Sequence, residues 1–258
     1  MPVPEEIVQI VQTSGNNFHA KVARWFQTNG WRVTVSPYYM DQTQGKAREI
    51  DLVAEKIWSI QGDYGRNEGE VGVRLFVECK FVPSYSVFWF ADKDFVAAEH
   101  LVCASGLFRP ENTYTKKHHY LVEHSQRVAK LFATAAGRSQ ETEPYYKALN
   151  QVINATVSMR GQGISPVLSQ GRSPTVVLEF PVVVCSSFDQ IYQVDFYSDT
   201  TPQAVAGNFQ LELHYAYLNR NGQQRDDYFL LDFVEFKRLE GFAASIEQDA
   251  RTAGFFKF

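Results

Sequence analysis

The spacing of the apolar residues changes along this chain, and this change limits the fold more than any other sequence feature does. In residues 16–29 the apolar side chains recur at i, i+4, i+7 and i+8, the spacing of an amphipathic helix. After residue 174 apolar and polar residues alternate as in strands, in four stretches: TVVLEFPVVVC, QIYQVDFYS, NFQLELHYAYL and DYFLLDFVEF. We therefore predict an α/β domain with a β-rich C-terminal extension.

The same reasoning predicts the remaining elements. Strands are predicted at 31–35, 49–54 and 71–81, and helices at 93–104, 121–136, 144–160 and 239–251. Glycine and proline residues mark an irregular link at 161–174. We divide the chain into residues 1–165, a core with a helical segment, and residues 166–258, a β-rich continuation packed on the same domain.

The composition excludes several classes of protein. The 258 residues include 25 basic and 29 acidic side chains, a net charge of −4, which argues against a protein that coats nucleic acid by bulk charge. The three cysteines form no CxxC pair, so neither a disulfide framework nor a structural zinc site is expected. No apolar run could span a bilayer, and the acidic start is unlike a signal peptide. We expect a soluble cytoplasmic protein without a membrane partner.

The prediction of a function depends on three charged residues on two predicted strands. Glu78 and Lys80 are two positions apart, so both side chains leave the same face of their strand. Asp51 lies on the preceding strand. If the two strands pair, two carboxylates and one ammonium group meet on an apolar scaffold. Charges in such a place cost free energy unless an ion or a reaction requires them.

Metal-dependent hydrolysis of a phosphodiester fits these three residues. Mg²⁺ prefers hard oxygen ligands and usually takes one or two carboxylates, with waters and substrate phosphate in its other positions. Asp51, Glu78 and the backbone carbonyl of Cys79 can provide such a partial shell. In this hypothesis the ion polarises the phosphate and acidifies a water. Lys80 orients that water or stabilises the negative charge that develops.

The first third of the chain resembles the PD-(D/E)xK nucleases, which share the restriction-endonuclease-like fold. The similar segments are NNFHAKVARWFQTNGWRV, KAREIDLVAEK and VRLFVECKFV. The resemblance implies a mixed central sheet flanked by helices, with residues 1–165 as the nuclease core. It implies a metal-dependent DNA endonuclease in restriction, defence or repair, in which Asp51 and Glu78 bind Mg²⁺ or Mn²⁺ and Lys80 is the catalytic lysine.

The chain departs from the family pattern at two positions. Ile50 stands where a proline often precedes the aspartate, which is a common variation. His19 occupies the helix position at which many members carry a glutamate that completes the metal site. Imidazole suits Mn²⁺ better than Mg²⁺, and His19 could equally contact a phosphate or cap the site. Lys46 and Arg48, just before the Asp51 strand, are candidate phosphate contacts.

Two further motifs have ordinary explanations. A second Glu-x-Lys, at Glu235–Lys237, lacks the upstream helix, strand and aspartate, and we predict that it forms a solvated strand face. An aromatic cluster follows Lys80 and can stack on bases, although core packing is the preferred interpretation. Its members are Tyr85, Phe88, Trp89 and Phe90.

Two further sequence features concern a basic run and nucleotide binding. The basic run KKHH at 116–119 is predicted to be a solvated surface. The chain contains no Gly-rich phosphate-binding loop ending in GK[ST], so no nucleotide cofactor is expected.

Three hypotheses for the function stay open. The first is the DNA endonuclease, and the second is a binding or assembly module that kept the fold without the activity, which the histidine at position 19 favours. The third is an RNA nuclease. A homodimer is expected on mechanistic grounds, because cutting both strands of a duplex calls for two sites. The sequence does not indicate a task for the β-rich C-terminal third.

Overall fold

One large mixed sheet flanked by helices organises this α/β protein. The computed structural model describes residues 3–61, 67–82, 84–104, 118–135, 144–162, 164, 176–219 and 221–257. None of the helices within these ranges is long and apolar enough to cross a membrane. The helices are α1 (Glu5–Thr13), α2 (Gly15–Thr28), α3 (Phe95–Ala104), α4 (Tyr120–Glu123), α5 (Pro144–Met159) and α6 (Leu239–Lys257), with a 3₁₀ turn at Phe236–Arg238.

Most of the strands within the described ranges belong to a single sheet. They are β1 (Arg32–Val35), β2 (Tyr38–Asp41), β3 (Lys46–Glu49), β4 (Leu52–Gln61), β5 (Asn67–Lys80), β6 (Ser86–Asp92), β7 (Arg127–Thr134), β8 (Val176–Cys185), β9 (Ile191–Asp195), β10 (Gln203–Ala204), β11 (Phe209–Leu218) and β12 (Gln224–Glu235). Ten of them form the sheet in the order β1-β4-β5-β8-β12-β11-β7-β6-β9-β10, whereas β2 and β3 form a separate hairpin.

Three neighbouring strands in this sheet run parallel. In β5 and β8, Lys80 lies opposite Cys185, and in β8 and β12, Cys185 lies opposite Glu235. The carboxyl ends of these strands therefore meet at one edge of the sheet. β4 runs antiparallel to β5 and begins at the same edge, with Leu52 opposite Val77.

Each face of the sheet has its own apolar core. Helices α2, α3 and α6 cover one face, where Phe26, Val102 and Ile246 are buried. Helix α5 covers the other face and buries Val152 and Ile153. Alternation along the strands supplies both cores, because successive side chains point to opposite faces.

The sheet curls around the core beneath α5. Strands β11 and β7 separate β6 from β12 in the sheet order. The ring centroids of Phe88 in β6 and Phe233 in β12 are nevertheless only 5.3 Å apart. Strands β12, β11, β7 and β6 thus curve around this apolar core.

The helix predicted at 121–136 is wrong. Only Tyr120–Glu123 is helical, and Arg127–Thr134 is strand β7. The apolar spacing was compatible with a helix, but β7 pairs with β6 on one side and with β11 on the other. The backbone hydrogen bonds to these distant strands determine the conformation of residues 127–134. The local spacing of apolar residues carries no information about them.

A buried carboxyl, Asp232, lies on β12 in the core beneath α3 and α6. Its Oδ1 accepts hydrogen bonds from the Tyr120 hydroxyl at 2.9 Å and from Gln210 Nε2 at 3.1 Å. Burial raises the pKa of Asp232 to about 7, against the lowering effect of these bonds and of the Lys93 charge. Between about pH 4 and pH 7 the Asp232 carboxyl is therefore protonated in the folded protein, whereas in the unfolded chain, with a pKa of 3.8, it is ionised.

This proton predicts a pH dependence of stability that Asp232→Asn removes. As the pH rises from about 4 to about 7, the unfolded state loses the proton and the folded state keeps it, so the wild type loses unfolding free energy. The loss is at most about 4 kcal/mol for a shift of this size. We expect the melting temperature of the variant, relative to wild type, to increase from pH 4 to pH 8. A difference independent of pH would contradict the assignment.

Candidate active site

Asp51 lies at the bend between β3 and β4, which corrects the prediction of one continuous strand over residues 49–54. Hydrogen bonds hold both its backbone and its side chain. Its carbonyl oxygen accepts from the Ser36 amide at 2.8 Å and from His19 Nε2 at 2.7 Å. The Cys79 amide donates to Oδ2 at 2.8 Å. Asp51 is thus fixed from three elements, namely the end of β1, α2 and β5.

His19 lies beside Asp51 because α2 packs firmly on the sheet. Val22 and Phe26, on the inner side of the helix, are fully buried. A carbonyl oxygen only accepts hydrogen bonds, so Nε2 of His19 carries the proton in its bond to Asp51. In this arrangement Nε2 is not a metal ligand. His19 orients the backbone that carries the Asp51 carboxylate.

Glu78 and Lys80 project from the same face of β5 and contact each other. The Lys80 Nζ lies 3.1 Å from Glu78 Oε2, and the Asp51 amide donates to Glu78 Oε1 at 3.3 Å. Antiparallel pairing of β4 with β5 brings the carboxylates together, as the sequence predicts. Cys79 points to the opposite face and packs against the core beneath α2.

The electrostatic character of the site comes from its burial. Glu78 is 1% exposed. Burial raises the pKa of its carboxyl to about 7, the Lys80 ammonium opposes this shift, and the Asp51 charge adds to it. When Glu78 is ionised, the two carboxylates and one ammonium group leave a net negative charge in a poorly solvated place, which a cation would neutralise.

The donor set at this edge fits a hard divalent cation. Asp51 and Glu78 offer carboxylate oxygens, and within the described part of the chain Asp51 Oδ1 receives no hydrogen bond. No three His, Cys, Asp or Glu side chains converge on one point in the described ranges. Asp51 and Glu78 could provide two carboxylates of the partial oxygen shell that Mg²⁺ or Mn²⁺ takes in proteins.

Tyr39 is a residue near the site that sequence reasoning missed. Its ring is buried in the core beneath α5, and its hydroxyl has no hydrogen-bond partner in the described ranges. Burial raises the pKa of Tyr39, and the charges of Asp41 and Glu78 raise it further. The β2–β3 hairpin that carries Tyr39 was not predicted, so no sequence signal pointed to it.

The two candidate phosphate contacts lie on that hairpin. Arg48 pairs through Nε with Asp41 Oδ2 at 3.1 Å and donates to the Gln44 side chain. The Arg48 guanidinium thus stabilises the β2–β3 hairpin through contacts with Asp41 and Gln44 of the same hairpin. Lys46 is exposed at the start of β3 and stays available for an anion.

The second Glu-x-Lys is not a solvated strand face, which corrects the sequence prediction. Glu235 is 1% exposed. Its Oε1 accepts from the Phe188 amide at 3.1 Å and pairs with Lys237 Nζ at 2.7 Å, while Oε2 lies 3.5 Å from Arg238 Nη1. These bonds connect the end of β12 with the loop after β8. Glu235 therefore has a structural role.

The remaining sequence motifs divide between core and surface. Phe88 and Phe90 are buried, as the preferred interpretation predicted, whereas Tyr85 is exposed. In the basic run, His118 is exposed and His119 is buried. Residues 116 and 117 lie outside the described residues, as does most of the 161–174 link.

The chain was compared with family models, curated proteins and solved structures. None of these three comparisons found a match. The geometry of the site and the resemblance carried by its sequence motifs are therefore the basis for proposing a function.

Proposed function

We propose that this protein is a metal-dependent nuclease that hydrolyses DNA phosphodiester bonds and has the restriction-endonuclease-like fold. The observation that carries the proposal is the convergence of Asp51, Glu78 and Lys80 at one end of two paired strands. The order of the elements supports it, because the helix with His19 precedes the Asp51 strand and the Glu-x-Lys strand, as in the PD-(D/E)xK nucleases.

Each group has one task in the proposed reaction. Asp51 and Glu78, together with the Cys79 carbonyl, would hold Mg²⁺ or Mn²⁺. When bound, this ion would polarise the scissile phosphate and acidify water. Lys80 donates hydrogen bonds to the attacking water or to the phosphate oxygens, whose charge grows in the transition state. The water oxygen bonds to phosphorus, the bond to the 3′ oxygen breaks, and a water proton passes to that oxygen through solvent.

A second candidate is an inactive module of the same fold. The observation that favours it is the hydrogen bond of His19 Nε2 to the Asp51 carbonyl, since no carboxylate stands at this helix position. In the inactive module the polar residues would only fix the bend before β4. A metal-binding measurement on Asp51 variants separates the two candidates.

Lys80→Ala tests the proposed chemistry. We expect the variant to cleave plasmid and short duplexes about 10²-fold more slowly than wild type with Mg²⁺ or Mn²⁺, because one donor to the developing charge is lost. EDTA should stop cleavage by both proteins. Initial rates, measured by gel electrophoresis of labelled products, provide the comparison.

The chain offers a matched control for this experiment. Lys237 also follows a buried glutamate by two positions and pairs with it at 2.7 Å. Lys237→Ala should cleave at the wild-type rate because Lys237 pairs with Glu235 and not with Glu78. Equal rates for wild type and Lys80→Ala would remove Lys80 from the mechanism. Comparing RNA and DNA of identical sequence decides between the two nuclease classes.

A further inference from the structure

The hairpin that leads to Asp51 carries a buried hydroxyl group without a partner. The Tyr39 side chain is 4% exposed, and its hydroxyl makes no hydrogen bond in the part of the chain that the structure describes. A buried polar group left unsatisfied costs about 1–3 kcal/mol. A phenylalanine would fill the same space in the core without this cost. The packing of the core therefore does not explain the hydroxyl.

Tyr39 and Glu78 lie on the same side of the sheet. Phe76 belongs to the core beneath α5, and Glu78 follows it by two positions on β5, so both side chains leave the same face. Tyr39 belongs to that core as well. Besides burial and the Asp41 charge, the charge of Glu78 raises the pKa of the Tyr39 hydroxyl. The hydroxyl and the Glu78 carboxylate are therefore close to each other, without a direct hydrogen bond between them.

Backbone hydrogen bonds fix the β2–β3 hairpin to the bend that carries Asp51. The Ser36 amide donates to the Asp51 carbonyl oxygen at 2.8 Å, and the Ile50 amide donates to the Pro37 carbonyl oxygen at 3.1 Å. Tyr39 follows Pro37 by two positions, within β2. The base of the hairpin therefore fixes the backbone that leads to Tyr39 and the backbone of Asp51 against each other.

Asp41, the other carboxylate whose charge raises the pKa of Tyr39, is occupied within the hairpin. Its Oδ1 accepts from the Gln44 amide at 3.0 Å, and its Oδ2 lies 3.1 Å from Nε of the Arg48 guanidinium, which neutralises it. Glu78 accepts hydrogen bonds at 3.1 and 3.3 Å, whereas an ionised carboxylate has about four acceptor positions. Glu78 therefore has room for a further donor.

We propose that Tyr39 is a positioning residue for Glu78: its hydroxyl donates a hydrogen bond to the Glu78 carboxylate, directly or through one water, when this carboxylate binds a divalent cation. The inference rests on the proposed function. Carboxylates that bind metal ions are themselves hydrogen-bonded, which orients them, and losing such a donor costs about 10–100-fold in metal affinity. The hydroxyl of Tyr39 would supply this bond from the hairpin.

Tyr39→Phe tests the proposal, because it removes the hydroxyl and keeps the ring in the core. We expect the variant to bind Mn²⁺ about 10-fold more weakly than wild type in isothermal titration. Mn²⁺ should also raise its melting temperature less than that of wild type. The melting temperature of the metal-free variant should not fall, because the hydroxyl has no partner within the described ranges.

Tyr215→Phe is the matched control. Tyr215 packs against the same core, but its hydroxyl donates to Asn150 Oδ1 at 2.7 Å. This variant should bind Mn²⁺ like wild type and melt at a lower temperature, since it loses a hydrogen bond within the protein.

The outcomes separate this inference from the proposed function. Wild-type Mn²⁺ affinity in Tyr39→Phe, an equal loss of affinity in Tyr215→Phe, or a lower melting temperature of metal-free Tyr39→Phe would overturn the role of Tyr39 alone. A wild-type protein that does not bind Mn²⁺ would overturn the metal site itself, and this inference with it. The Lys80→Ala cleavage rate tests the proposed chemistry independently.

Discussion

Asp51→Asn slows metal-dependent cleavage severely and loses most of the affinity for Mn²⁺ if the proposed site is correct. The exchange keeps the shape of the side chain and an oxygen for the Cys79 amide, but it removes a negative charge from the ligand set. Losing several kcal/mol of charge stabilisation by the ion slows the reaction on the order of 10³-fold. Isothermal titration with Mn²⁺ and initial cleavage rates measure the two effects.

A matched exchange separates the site from a general effect of charge. Asp226→Asn makes the same change at an exposed position near the amino end of β12, at the opposite end of that strand from Glu235. This variant should bind Mn²⁺ and cleave like wild type. Wild-type Mn²⁺ affinity in Asp51→Asn would contradict the metal site. Folded wild-type protein that neither binds Mn²⁺ nor cleaves DNA would identify the inactive module.

Arg74→Ala is expected to lose about 3–5 kcal/mol of unfolding free energy, the range for breaking a buried ion pair. Arg74 is 4% exposed and lies between two carboxylates. Its guanidinium contacts Glu55 Oε1 at 2.7 Å and Glu179 Oε1 at 3.2 Å. It also donates to the Gln162 carbonyl at 2.8 Å, just beyond the end of α5. Alanine would leave the buried Glu55 carboxylate, the half-buried Glu179 carboxylate and a helix end without this donor.

Urea denaturation, monitored by circular dichroism, measures the loss of unfolding free energy in Arg74→Ala. Arg251→Ala is the control, because Arg251 pairs with Glu247 at 2.7 Å one helical turn away and is mostly exposed. Exposed pairs of this kind contribute about 0.3–0.5 kcal/mol. Similar losses in the two variants would show that the Arg74 network does not stabilise the fold.

The sequence predicts those site residues that are brought together by one strand or by two strands adjacent in the chain. Glu78 and Lys80 share a face because they are two positions apart on one strand. Asp51 required one further step, the pairing of neighbouring strands, and the antiparallel ladder of β4 and β5 confirms that step. The roles of all three residues remain a proposal.

Long-range packing determines what the sequence did not predict. Glu235 has the same local pattern as Glu78, but the loop after β8 buries it and supplies its partners. Tyr39 reaches the site on a hairpin without a clear periodic signal. The β7 segment is a strand because two distant strands pair with it. In each case the deciding contact comes from a remote part of the chain.

The order of strands in the sheet has a consequence for biosynthesis. Strand β8 pairs with β5 from Val71 to Lys80 but is made almost a hundred residues later. Until β8 emerges from the ribosome, the edge of β5 beside Lys80 has no partner and is open to pairing with other chains. Domains with such late, distant pairings fold slowly. The strand that carries Glu78 and Lys80 therefore reaches its final position only after most of the chain has been translated.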